Sequence, residues 1–147
     1  MTYRTTARIG LGYLGFNALV LGLWAVVAPR AFYDNFPGLG RVWVAVDGPY
    51  NEHLVRDVGA LNLALTVLLV AAFVTLSRQL LTVAAVASLA WGVPHFLYHA
   101  FNTEPLSTGD NVFSLGGLAL SAAFPLGLLY LAPRLEDELA LIDADNS

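Results

Sequence analysis

Four stretches of the chain, residues 9–28, 58–76, 80–101 and 112–131, contain no aspartate, glutamate, lysine or arginine. Each is close to the roughly 20 residues that a helix needs to cross about 30 Å of hydrocarbon. In that medium every backbone N–H and C=O must find its partner within the segment, and an α-helix meets that demand. Apolar residues make up 57% of the chain and charged residues 12%, with a mean hydropathy of +0.65. The chain therefore reads as an integral membrane protein, an all-α bundle of four transmembrane helices. The spans are placed at about 9–28, 52–76, 80–101 and 112–132 of a single domain covering 1–147, with an acidic tail at 136–147.

The first stretch follows Arg4 and Arg8, as a secretory signal would. Its apolar run is longer than the ~7 to 15 residues of a signal core, and Pro29 directly follows Ala28 where cleavage would fall, so it reads as a retained span. Cysteine is absent, which excludes disulfides, thiolate metal sites and a thiol nucleophile. The net charge of -4 says little about partners, because five of the eleven acidic residues lie after Leu135. That end is expected to be solvated and partly frayed. No basic patch points to nucleic acid, and the implied partner is the lipid bilayer.

Arginine placement sets the orientation, since acidic residues weigh little in the positive-inside rule. Arg4, Arg8, Arg78 and Arg134 fall on one side and Arg30, Arg41 and Arg56 on the other. The bias places both termini in the cytoplasm and the connection 29–56 outside. That connection is too long for a structureless loop in a compact bundle. Pro29 suits a helix start, and Phe32, Tyr33 and Phe36 recur at helical spacing before Pro37 and Gly38 stop the turn. With Trp24, Trp43 and Tyr50 they form an aromatic-rich outer loop suited to the headgroup level. Asp47-Gly48-Pro49 makes a turn, and Asn51 is the expected N-cap of the second span, with Glu52 in its first turn.

Small residues at four-residue spacing occur in every span: Ala18 and Gly22, Ala60 and Ala64, Ala84 and Ser88, Gly117 and Ser121. Such pairs let helices approach closely in lipid. Asn17 and Asn62 are expected to make interhelical hydrogen bonds. Pro94 and Pro125 leave the carbonyls of Ala90 and Ser121 without intrahelical partners, so both spans should bend there.

The residues able to carry chemistry are His53, Asp57, His95 and His99. If spans two and three are antiparallel helices joined by a tight turn near Ser77, equal rise puts Asp57 level with His95 and His53 level with His99. On the third span Ala84, Ser88, Trp91, His95 and His99 share a stripe, and on the second His53 and Asp57 share one with Ala60 and Ala64. Glu52 and Arg56 can pair alongside. The expected result is an outward-opening polar pocket lined by Glu52, His53, Arg56, Asp57, Trp91, His95 and His99. An ionisable residue inside a span is a functional hypothesis by default, and Asp57 and His95 are the candidates for acid and base work. The bland reading is an Asp57–His95 pair that staples the two spans. Against it stand a divalent metal on His95, His99, Asp57 and His53, a bis-histidine haem using His53 with His95 or His99, and a metal-free pocket for a lipid-, quinone- or sterol-like molecule.

The segments Phe32-Tyr33-Asp34-Asn35-Phe36-Pro37-Gly38, Gly48-Pro49-Tyr50-Asn51-Glu52-His53-Leu54-Val55-Arg56-Asp57-Val58-Gly59-Ala60 and Pro94-His95-Phe96-Leu97-Tyr98-His99 resemble those of small bacterial integral membrane proteins. The four-span layout is similar to that of DoxX-like proteins, some of which are linked to quinone-coupled redox chemistry. The resemblance implies a bacterial cytoplasmic (inner) membrane and assigns no functional residue. The favoured function is a non-catalytic membrane component whose outward pocket takes a small hydrophobic ligand or a partner membrane protein. The alternative is a metal- or haem-dependent membrane oxidoreductase using His53, Asp57, His95 and His99.

Overall fold

The structure, a computed structural model, describes residues 2–145. Helix α1 spans Tyr3–Val27 and is followed by a short helix α2, Pro29–Asn35, and a two-stranded antiparallel pair, β1 (Pro37–Gly38) and β2 (Arg41–Val42). Three long helices complete the chain: α3 (Glu52–Thr75), α4 (Arg78–Phe101) and α5 (Thr108–Asp145). Four of the helices are long and apolar enough to cross a membrane, over Tyr3–Val27, Glu52–Thr75, Arg78–Phe101 and Thr108–Leu135. This is a multi-pass helical membrane protein.

The boundaries follow local chemistry. Thr2, Asn51 and Ser77 each cap a helix by accepting a backbone N–H three residues on, which satisfies one of the donors a helix start leaves orphaned. Pro29 opens α2, where its missing N–H costs nothing. Leu76 adopts a left-handed φ of 51°, which lets α3 stop and α4 start with only Leu76 and Ser77 between them, the C-cap of one helix and the N-cap of the next. Gly38 and Gly40, at φ 96° and 76°, supply the positive φ values of the tight β1–β2 connection. That hairpin is not foreshadowed by any alternating pattern in so short a segment. The tail differs from expectation: α5 runs through Pro133 and stays helical to Asp145, in keeping with the good helix formers Leu, Ala and Glu that fill this stretch.

The principal neighbours are α1 with α3 and α4 with α5, and lesser contacts of α1 with α5 and α3 with α4 close the ring. At the Ser77 end all four long helices share one core, in which Leu11, Leu69, Leu81, Leu128 and Leu135 are fully buried. At the opposite end Ala25, Phe32 and Val55 form a second core with Trp24, Phe36, Val44 and Tyr50 packed on it. The aromatic outer loop is thus structured, with Trp24 edge-on to Phe32 at 5.6 Å, Phe36 to Trp43 at 6.0 Å, and Tyr33 to Tyr50 at 5.2 Å between centroids.

Close approach decides which face each helix buries. Gly22 and Gly59 meet where α1 crosses α3: a Cβ on Gly59 would lie 2.8 Å from Val26 Cγ2 and 3.0 Å from the Gly22 carbonyl oxygen. On the other side of the ring, Gly92 faces the Ser121 carbonyl oxygen, with 3.7 Å available to an added Cβ. That carbonyl is the one Pro125 leaves without an intrahelical donor. Of the small-residue pairs read from the sequence, Ala18 with Gly22 and Ala84 with Ser88 are buried, whereas Ala60, Ala64 and Gly117 are exposed. The residue that α3 uses against α1 is Gly59. Asn17 and Asn62 are corrected as well: each side-chain amide donates to the carbonyl four residues back in its own helix, Tyr13 at 2.7 Å and Val58 at 2.8 Å. An amide that can reach its own helix wall is satisfied there and needs no second helix.

Candidate functional site

The His53–Asp57 and His95–His99 pairs each form within a single helix. On α3, His53 Nε2 lies 3.3 Å from Asp57 Oδ2, as four-residue spacing allows. On α4, the rings of Trp91, His95 and His99 stack in sequence, with centroids 5.1 Å and 4.9 Å apart. The expected stripe of Ala84, Ser88, Trp91, His95 and His99 is the face α4 turns inward, fully buried at its first two positions and half-buried at the three rings.

The two pairs do not converge. Among the described residues no hydrogen bond or ion pair joins Asp57 to His95, and no group of three or more histidine, aspartate and glutamate side chains is placed to hold a metal ion. The physical reason is azimuth. Val55 and Gly59 are buried, and Asp57, two residues from each, is rotated about 200° from them at 100° per residue. Its side chain is 54% exposed and that of His53 is 88% exposed. His95 is seven residues from buried Ser88 and so only about 20° off the inward stripe. Equal rise put Asp57 and His95 level, but the packing of α3 on α1 turns Asp57 away. The expected seven-residue pocket is therefore split, with Trp91, His95 and His99 on one helix and Glu52, His53, Arg56 and Asp57 on the other.

A different carboxylate reaches the α4 rings. Asp47, in the turn before α3, accepts hydrogen bonds from the Tyr98 hydroxyl at 3.1 and 3.2 Å. Tyr98 stands edge-on to His99 at 5.3 Å. Sequence reading took Asp47 as a turn residue and passed over Tyr98. The position of Tyr98 next to His99 was the available signal, but only the fold of the loop brings Asp47 across.

Charged residues at this end are held in place. Asp110 accepts from the Arg41 guanidinium, from Trp43 Nε1 at 2.9 Å and from Ser107 Oγ at 2.7 Å, tying the loop to the start of α5, while Arg41 also lies over the Phe113 ring at 4.7 Å. The expected Glu52–Arg56 pair is present at 2.9 Å, and Arg56 also donates to the Val26 carbonyl at the end of α1. Arg30 bonds Asp34 at 2.7 Å and lies over Tyr33 and Tyr50. The Asp34 hydrogen bond raises the Arg30 pKa further above its ordinary value, so this side chain is a fixed cation. The end of the bundle away from Ser77 is thus a braced cap beside a half-buried ladder of imidazoles, with hydrogen-bond donors and acceptors at the bundle rim and apolar helix faces beyond it. No protein-family model, no curated protein and no solved structure matches the chain.

Proposed function

We propose that this protein is a non-catalytic component of the bacterial cytoplasmic membrane, with both termini in the cytoplasm, whose outer rim at Asp47, Trp91, His95, Tyr98 and His99 binds a small amphipathic molecule with a hydrogen-bonding headgroup. The observation that carries the reading is the half-buried Trp91–His95–His99 ladder under Asp47 and Tyr98. Imidazoles can donate to or accept from a carbonyl or hydroxyl headgroup, and the adjoining apolar helix surface suits an isoprenoid or sterol body. A site of convergent polar groups on apolar walls is the usual form of a small-molecule site. The orientation rests on four of the seven arginines lying at the Ser77 end.

The reading is tested with ubiquinone-1 as probe. It should raise the melting temperature of the detergent-solubilised protein, and His95→Ala should abolish the rise. No rise, or an equal rise in His95→Ala, overturns the proposal. Orientation has its own test: an impermeant thiol reagent should label Val46→Cys and spare Gln79→Cys in intact cells, and the reverse pattern overturns it. The metal- or haem-dependent alternative needs the α3 and α4 pairs to meet, and no feature of the site favours it. Metal analysis and the Soret region of purified protein test it directly.

A further inference from the structure

Four polar side chains are buried among the described residues, those of Asn62, Thr66, Ser88 and Ser114. The first three are satisfied on their own helix walls, each donating to the carbonyl four residues back. Ser114, on α5 and 7% exposed, makes no side-chain hydrogen bond among the described residues, although Ser121 on the same helix does donate to the Gly117 carbonyl at 3.0 Å. A helical serine always has that carbonyl within reach. A buried hydroxyl that leaves it unused, in a setting where an unmade bond is costly, calls for a partner of another kind. Its oxygen is not sealed off, since the unpaired side-chain atom wholly shut from solvent among the described residues is on Glu138.

Register places this hydroxyl beside the imidazole ladder. Gly92 of α4 faces the Ser121 carbonyl of α5, and α5 runs antiparallel to α4. Seven residues further from the Ser77 end on each helix, about 10.5 Å by axial rise, stand His99 and Ser114. Seven residues are also only 20° short of two full turns, so both keep the faces that Gly92 and Ser121 turn to one another. Burial agrees on both sides. His99 is half-buried on the inward stripe of α4, and Ser114 is buried on the stripe that α5 continues through Pro125 and Leu128.

We propose that Ser114 is a ligand-binding residue of the rim site, its hydroxyl left free to hydrogen-bond, opposite His99, an oxygen on the flat headgroup of the bound molecule. The assignment rests on the reading of the Trp91–His95–His99 rim as a ligand site. A planar ring can lie along that ladder, and a hydroxyl and an imidazole can each donate or accept, so a carbonyl or a hydroxyl oxygen on the ring is held equally well. A hydrocarbon tail in the same place would leave Ser114 unpaired. The site therefore discriminates an oxygenated ring from the acyl chains that surround the bundle.

The test compares Ser114→Ala with Ser121→Ala, using ubiquinone-1 on the solubilised full chain and taking its dissociation constant from the concentration dependence of the melting-temperature rise. Ser114→Ala should weaken binding about three- to tenfold, the usual worth of one hydrogen bond. Without the probe it should melt no lower than the parent, because no bond within the chain is lost. Ser121→Ala should keep the parent's dissociation constant. If the parent responds to ubiquinone-1 and His95→Ala does not, an unchanged dissociation constant in Ser114→Ala overturns this assignment alone, as does a fall in its melting temperature without the probe or equal weakening in Ser121→Ala. No response in the parent overturns the rim reading and this assignment together.

Discussion

Helix α3 carries a His53–Asp57 pair and α4 a His95–His99 pair at the end of the bundle away from Ser77, and their fates are opposite. On α4 the pair continues the buried stripe of Ala84 and Ser88 and lies beneath the outer loop. On α3 the pair faces away from the bundle, because the small residue buried there is Gly59, half a turn round from Asp57. In lipid, close backbone approach rather than hydrophobicity chooses the packed face. The direction in which a functional side chain points is therefore set by a glycine that has no chemistry of its own.

The largest effects should come from that choice of face. Gly59→Ala puts a Cβ 2.8 Å from Val26 Cγ2, 2.9 Å from Ala25 Cβ and 3.0 Å from the Gly22 carbonyl oxygen. Neither the backbone oxygen nor a Cβ can step aside. Overpacking of this kind costs about 1–3 kcal/mol, against a gain of about 0.5–1 kcal/mol from replacing glycine within a helix. The net expectation is a clear loss of stability in reversible unfolding from mixed micelles. Gly92→Ala should be neutral or slightly stabilising, since its nearest neighbour is at an ordinary 3.7 Å. If the two substitutions cost the same, glycine packing does not distinguish the helices.

Next in size is the tie between the outer loop and α5. Asp110→Ala removes one carboxylate and strands three donors, on Arg41, Trp43 and Ser107, and an unpaired donor is costlier than the bond it lost. Its melting temperature should fall further than that of Ser107→Ala, which removes one donor to that carboxylate and the acceptor of the Asp110 backbone N–H but leaves Arg41 and Trp43 paired. Equal falls would mean that the loop is held by its aromatic packing alone.

How much of this could be read from the sequence depends on whether a feature is local. The four spans, the caps at Asn51 and Ser77, the Pro29 start and the Glu52–Arg56 pair need only neighbours within a turn, and their residues announce them. Axial level is local too, since rise per residue is fixed, and the stripe on α4 follows from the helical period. The azimuth of α3 is not local. It depended on Gly59 being chosen over Ala60 and Ala64, and those two alanines satisfy the same small-residue rule. Asp47 reaching Tyr98, and Asp110 gathering Arg41 and Trp43 across 69 and 67 residues, depend on the path of the loop, which no periodicity encodes.

A smaller contrast separates the histidines themselves. His95→Ala removes ring contacts at 5.1 and 4.9 Å and should cost about 1 kcal/mol, the usual worth of such aromatic pairs. His53→Ala, at a side chain 88% exposed, should stay within about 0.5 kcal/mol of the parent in the solubilised protein. A larger cost at His53 than at His95 would reverse the assignment of inward and outward faces.

The smallest expected number is the most discriminating. Had Asp57 and His95 formed a staple between α3 and α4, either single replacement by leucine would strand a polar partner, and the double replacement would recover much of the loss. In the structure the ion-pair partner of Asp57 is His53, while His95 packs between Trp91 and His99. A double-mutant cycle of Asp57→Leu and His95→Leu, by unfolding in detergent, should therefore give a coupling within about 0.5 kcal/mol of zero, as for residues with no shared partner. A favourable coupling well above that would show that the outer ends of α3 and α4 close on one another, restoring a single four-residue site. A near-zero value leaves two separate surfaces, with His95 in the ligand rim and Asp57 beside His53 on the exposed face of α3. Each is then open to mutation without disturbing the other.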